Sequence, residues 1–217
     1  MIPAAAHHRA RRDAPARGER GAALVEFALI AMFLLALLAG TFDYGFAWRS
    51  GLAVNEAARA GARVGSGQAL SRGADYYALN GVRATLTASG SIDQVEKVII
   101  FKSTATNGRV PTTCLATTPS GLCNVLTGAQ LKALTVASFN LVISSNPAVA
   151  PTGTGCLNSS AAKLAGWCPN VRSNNQQTGS DFYGVYVQLK YPKKFPIFGS
   201  SLQVTRTAVM RLEPVGF

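Results

Sequence analysis

The chain has 217 residues, and its 21 Lys plus Arg against 10 Asp plus Glu give a net charge of +11. That length fits one compact fold with appendages, and 14% charged against 48% hydrophobic residues argues against a long chain held open by charge. Both histidines, His7 and His8, lie in a basic, proline-containing stretch without hydrophobic period. The part able to fold has none, which sets aside Ser-His-Asp and Cys-His nucleophile pairs and His-ligated metals.

Residues 1–21 carry Arg9, Arg11, Arg12, Arg17 and Arg20 against Asp13 and Glu19, and read as a basic cytoplasmic leader. From Ala22 to Phe42 runs AALVEFALIAMFLLALLAGTF, 21 residues with Glu26 as the one ionisable group. A helix of that length spans about 30 Å, the thickness of a bilayer hydrocarbon core, so 22–42 reads as a transmembrane helix. A buried core helix apolar on every side would need more protein around it than the rest of the chain supplies. A cleaved signal peptide would have a shorter, acid-free apolar stretch and a clear small-residue cleavage site, and Ala39 and Gly40 do not make one. Five arginines precede the segment and only Arg49 and Arg59 follow it closely, which keeps the N-terminus inside and exports the remainder.

Beyond Asp43 the helical period continues, with Leu52, Ala53, Ala57, Ala60, Gly61 and Val64 three and four residues apart, until Gly65 and Gly67 end it; 43–66 is the helix continuation. The pairs Ala57 with Gly61 and Gly61 with Gly65 have the small-xxx-small spacing that lets another backbone approach, or they reflect plain alanine-rich composition. Residues 67–217 form the exported domain. A short amphipathic helix is expected over Ala74–Ala88, with Tyr76, Tyr77, Leu79, Val82 and Leu86 at helical spacing. Strands are expected at Gln94–Lys102 and Leu134–Ser144, with the first cysteine loop between them, and then at Phe182–Tyr191 and Leu202–Leu212. In the last of these Arg206 breaks the apolar face and either snorkels or marks a bulge. The connection PKKFPIFGSS is a looped return suited to antiparallel pairing. The fold class is therefore α+β: a long N-terminal transmembrane helix continuing into a domain with a short helix and a small antiparallel sheet.

Cys114, Cys123, Cys156 and Cys168 all follow the apolar segment, in stretches rich in Thr, Ser, Gly, Pro and Asn. Four cysteines admit three connectivities, and the local bridges Cys114–Cys123 and Cys156–Cys168 are expected in an oxidising compartment, worth about 2–3 kcal/mol each in the chain-entropy model. A four-thiolate zinc site would need about two to four residues within each pair instead of eight and eleven. No repeat, G-x-G-x-x-G, Walker loop, C-x-x-C or H-E-x-x-H occurs, so no cofactor or metal is implied. A lone Asp75 or Asp181 reads as a solvated acid, and no catalytic dyad emerges.

Glu26 is costly inside a bilayer, about 2.5–3.5 kcal/mol at the centre and less near the interface. A shallow position would let it reach headgroups or take up a proton. Alternatively, cleavage after Gly21 would place an ammonium on Ala22 and leave Glu26 fifth in the mature chain. A neighbouring chain shifted along the helix axis would then bring its ammonium to this carboxylate. Such a buried pair specifies registry better than it adds stability.

The run Arg20-Gly21-Ala22-Ala23-Leu24-Val25-Glu26-Phe27 resembles the processing site of type IV-like prepilins. The longer stretch RGAALVEFALIAMFLLALLAGTFDYGFAWRSGLAVNEAARAGAR, residues 20–63, resembles the TadE-like family of the tight-adherence (Tad, Flp) pilus system, and LQVTRTAVMRLEP resembles the closing strand of such proteins. The resemblance implies a pilin-like minor subunit: a prepilin peptidase would cut after Gly21, and Glu26 would guide processing or assembly. Its partners would be other pilin-like subunits, the inner-membrane assembly platform and the cytoplasmic membrane. Phe27 stands where major Flp prepilins have Tyr, a departure that suits the pseudopilin side of the family. Two other functions compete. Residues 22–217 keep a net charge of +8, from 16 cations and 8 acids, so a surface module binding DNA or an anionic polysaccharide is the alternative, although only Lys190, Lys193 and Lys194 cluster, with Tyr191 and Phe195 among them. A membrane-anchored enzyme is the third class, and no residue set supports it.

Overall fold

The computed structural model describes residues 17–104, 108–158, 163–164, 167–175, 179–195 and 199–213; most of the leader lies outside them. Helix α1, Arg17–Gly67, runs without a break for 51 residues. The chain nevertheless divides into two compact units at the step from Phe42 to Asp43. In the first unit α1 is bare: every large apolar side chain from Leu24 to Phe42 is between 52% and 69% exposed.

In the second unit α1 has a buried side. Asp43, Ala47, Ser50, Gly51, Val54, Ala57, Ala58, Gly61, Ala62, Gly65 and Ser66 are all buried, at the three- and four-residue steps of one helix face. This face is rotated from the sequence expectation. Leu52 is 54% exposed, and Ala53, Ala60 and Val64 are only half-buried. Size decides the rotation: small side chains let α1 approach its neighbours closely, and the larger leucine is left outside.

Helix α2, Ala74–Ala88, has the expected bounds, and it buries Ala74, Asp75, Ala78, Leu79, Val82 and Leu86. Strand β1, Val95–Ser103, leads to a single helical turn, α3, at Thr112–Leu115, and then to β2, Cys123–Thr127. Short helix α4, Gly128–Lys132, follows under a capping box of Thr127 with Gln130. Two-residue strands β3, Leu141–Val142, and β4, Thr152–Gly153, pair with each other. Next come β5, Lys163–Leu164, the small ribbon of β6, Asn174–Asn175, with β7, Gly179–Ser180, and the long strands β8, Phe182–Pro192, and β9, Ser201–Arg211. The main sheet has the order β5-β2-β1-β8-β9 with antiparallel neighbours throughout.

Two expectations are corrected and one open alternative is decided. Leu134–Ser144 is not one strand: a 3-10 turn occupies Val136–Phe139, and Asn140 takes the left-handed conformation (φ 47°) before β3. Thr135 and Ser138 cap each other's backbone there, a local alternative to a sheet ladder. The strand that belongs beside β1 is β2, opened by Cys123 itself, so the cysteine connection is helical turn and strand as well as loop. Arg206 marks no bulge, because β8 and β9 pair in continuous register with Val187 opposite Arg206. Its Nη2 reaches the α1 surface at Gly51, where it is 3.5 Å from the place a Cβ would occupy, so it snorkels along the helix to water.

One face of the sheet meets the helices. Val54, Ala57, Ala58 and Ala62 of α1, Leu79, Val82 and Leu86 of α2, and Val98, Ile100, Tyr183, Val185, Val187 and Leu189 of the strands form one core cluster. The opposite face carries a smaller cluster of Ile99, Phe101, Val125 and Tyr186 under the Cys114 and Cys123 side chains. The backbone N–H of Glu213, just past β9, donates to the Ser66 carbonyl at 3.1 Å and closes the end of α1.

The close approach is tightest at two glycines. A Cβ on Gly65 would lie 2.2 Å from the Tyr183 ring, and one on Gly61 would lie 2.5 Å from Val82 Cγ2. Tyr183 is fully buried and its hydroxyl is tied to Asp75, so the ring has nowhere to move. Gly65→Ala is therefore expected to destabilise the domain by about 1–3 kcal/mol despite the better helix propensity of alanine. Gly45→Ala, where nothing lies within 4 Å, is expected to be neutral or slightly stabilising. Thermal unfolding of the two detergent-solubilised variants reads the difference, and equal melting temperatures would remove the close-packing argument.

Candidate functional site

The residues singled out at the start of the apolar segment are all on the surface of α1. Gly21, Ala22 and Glu26 are exposed, Phe27 is 69% exposed, and a Cβ on Gly21 would meet nothing within 4 Å. α1 begins at Arg17, so the Gly21–Ala22 bond lies within the helix. Glu26 and Ala22 share a side one helical turn apart.

The second acid on α1, Asp43, is engaged. It immediately follows the apolar segment, is buried, and accepts two backbone hydrogen bonds from the β8–β9 connection. Lys194 N donates to Oδ1 at 2.7 Å and Phe195 N to Oδ2 at 3.0 Å. Hydrogen bonds to a charged acceptor are roughly twice as strong as neutral ones. Tyr191, also buried, feels the same acid: burial first, and then the Asp43 charge, push its hydroxyl up from the usual tyrosine range. Of the Lys190, Lys193 and Lys194 cluster, Lys194 is thus held beside Asp43. Lys190, Lys194 and Phe195 are exposed and Lys193 is half-buried.

The cysteines form Cys114–Cys123 and Cys156–Cys168, with no cysteine left free. The first bridge helps to cover the outer face of the sheet, through the cluster containing Phe101 and Tyr186. The second ends four residues before Arg172, and Arg172 is the centre of a buried polar group that the sequence did not disclose. Its Nη2 lies 2.7 Å from Asp75 Oδ1 and 2.8 Å from Oδ2, and both side chains are fully buried. Nη2 also donates to the Trp167 carbonyl, and the Asn124 amide donates to Asp75.

Asp75 is therefore not the solvated acid expected from sequence. It sits in the first turn of α2, where the helix dipole favours a negative charge, and faces the core. Among the described residues Arg172 Nε and Nη1 meet no hydrogen-bond acceptor, but the guanidinium lies 4.3 Å from the Trp167 ring centroid and 5.0 Å from that of Tyr183. Aromatic faces take the place of the missing acceptors. The Tyr183 hydroxyl donates to Asp75 at 2.9 Å, and burial, followed by the Asp75 charge, holds its phenol well above the usual range, so it stays a neutral donor.

Asp181 is corrected in the same way. It is buried, pairs with Lys102 Nζ at 2.7 Å and accepts from Ser173 N at 3.0 Å. These acids hold loops to the sheet and helix. Among the described residues no three His, Cys, Asp or Glu side chains converge as metal ligands would.

Removing one member of a fully buried pair leaves the other charge without compensation, whereas removing both does not. Arg172→Met is expected to cost about 3–5 kcal/mol, and Asp75→Leu combined with Arg172→Met clearly less than the two single losses added. A double-mutant cycle by denaturant unfolding reads the coupling. A single Arg172→Met cost below about 1 kcal/mol, the range of exposed pairs, would refute a locked interior pair.

The described residues contain one helix long and apolar enough to cross a membrane, the stretch Gly21–Gly67 of α1. No curated protein and no solved structure matches the chain. Residues 21–63, from the first residue of that stretch to near the end of the face packed on the sheet, match the family model of TadE-like proteins.

Proposed function

We propose that the protein is a minor pilin or pseudopilin of a Tad (Flp) type IV-like pilus, held in the cytoplasmic membrane by α1 with its N-terminus inside and its disulfide-bearing domain outside. The TadE-like segment supports association with the Tad system. The observation that carries the finer reading is the divided helix. Its first half is exposed apolar surface on every side, and its second half is the packed edge of a folded domain. A subunit of this kind offers the first half to a bilayer or to the helices of other pilin-like subunits and presents the second half's domain to the exterior. Two disulfides and a basic domain suit that exterior.

Prepilin peptidase would cut after Gly21, and Glu26 would then face the new ammonium of Ala22 on a neighbouring subunit at the assembly platform. The role is structural, not enzymatic. Intact-mass analysis of the membrane-extracted protein, with and without reduction, tests this. A chain beginning at Ala22 and four hydrogens heavier after reduction is expected from the two bridges. Glu26→Ala is expected to accumulate uncut precursor or to abolish assembled pili. A mature chain beginning near Gly40 would make it a secreted soluble domain, and an uncut chain would leave a signal-anchored surface protein.

A further inference from the structure

The lysine cluster on the β8–β9 connection has no part in processing or helix packing, and its position is unusual for a solvated strand end. Asp43, the residue after the apolar segment, accepts hydrogen bonds from the backbone N–H groups of Lys194 and Phe195, which fixes these two residues beside the helix at that level. Two aromatic side chains share the level. Tyr44 is 68% exposed and Trp48 60% exposed, their ring centroids are 6.4 Å apart, and both are within about 8 Å of Asp43 along the helix axis at 1.5 Å per residue. Exposed Tyr and Trp beside the end of an apolar span are the composition of a membrane–water interface, and lysines there meet lipid phosphates.

Phe195 adds an exposed ring beside Lys194. Asp43 itself is engaged by the two backbone amides. Glu96, which feels the charge of Lys190, bonds Gln188 and Gln203 on the sheet and is held below the usual carboxylate range chiefly by those hydrogen bonds.

We propose that the residues just after β8 form a second membrane contact, in which Lys193, Lys194 and Phe195 dock on the phosphate headgroups of anionic lipid next to the point where α1 leaves the bilayer. Asp43 acts as the positioning residue. This rests on the reading of α1 as a membrane span.

The test uses the full chain in nanodiscs of phosphatidylcholine with or without phosphatidylglycerol. With no free cysteine in the protein, Phe195→Cys supplies a single thiol for a nitroxide, and Thr87→Cys on the exposed side of α2 supplies a control. In anionic discs the label at 195 is expected to lose access to a water-soluble nickel chelate by about fivefold or more, the effect of one lysine held at an anionic surface. The control label is expected not to change. K193E/K194E is expected to abolish the loss, and Asp43→Asn to weaken it while the protein remains folded and embedded. A chain that is embedded but whose label keeps full chelate access in both lipids would overturn the docking alone. A chain extracted by alkaline carbonate would overturn the membrane span together with it.

Discussion

The arrangement depends on how closely α1 can approach the sheet and α2. Eleven buried positions from Asp43 to Ser66 include no aromatic residue, no leucine and no long side chain. At Gly61 and Gly65 the neighbouring Val82 and Tyr183 occupy the space a Cβ would need. Where the helix carries leucine, phenylalanine and methionine instead, from Leu24 to Phe42, those side chains remain exposed. One uninterrupted helix therefore has two kinds of surface, and the change from large to small residues near Asp43 divides the chain into its two units.

Much of this division was legible. Helix α2 and strands β1, β8 and β9 announce themselves by period, and the change in α1 is visible as a change in side-chain volume. The face that α1 buries was misread because apolarity was followed in place of size, so Leu52 was put inside and Asp43, Ala47 and Gly51 were passed over. Strand β2 escaped because five residues opened by a cysteine in a threonine-rich stretch give too short a pattern. The Leu134–Ser144 stretch misled in the opposite direction: its apolar residues Leu134, Phe139 and Leu141 are all buried, but from a capped turn instead of a pleat. Asp75 could have been noticed, since positions 75, 79, 82 and 86 fall on one helix face and an acid among them is out of place. Arg172 could not. Its partner is 97 residues away, and no local pattern ties the two together.

That long separation explains what the polar interior does. The segment between Cys156 and Arg172 has little regular structure of its own among the described residues, so it gains its place by attachment. A disulfide closes it locally, and the Arg172–Asp75 pair fastens its end to α2, with Tyr183 linking the same acid to β8. Tyr183 is also the ring against Gly65, so the loop, α2, β8 and α1 meet at a single side chain. A buried ion pair is weak evidence for net stability, but it permits few alternative arrangements of the groups it joins.

The same geometry limits how this helix meets anything outside its own chain. The small-xxx-small surface that could receive a second backbone is already filled by Val82, Ala78 and Tyr183. Beyond Phe42 the exposed side of α1 instead presents Tyr44, Trp48 and Leu52, four residues apart and larger than anything on the buried side. External contacts in this part of the helix must therefore be made through bulky, amphipathic side chains at ordinary interhelical or interfacial distances, without the close backbone approach that glycine allows. Upstream of Asp43 no such restriction holds, because Gly21 and Gly40 both have open space where a Cβ would project. Tight helix association, if it sets register in an assembled fibre, belongs to the half of α1 that contains Glu26, because the small-residue face of the other half is already occupied within its own domain.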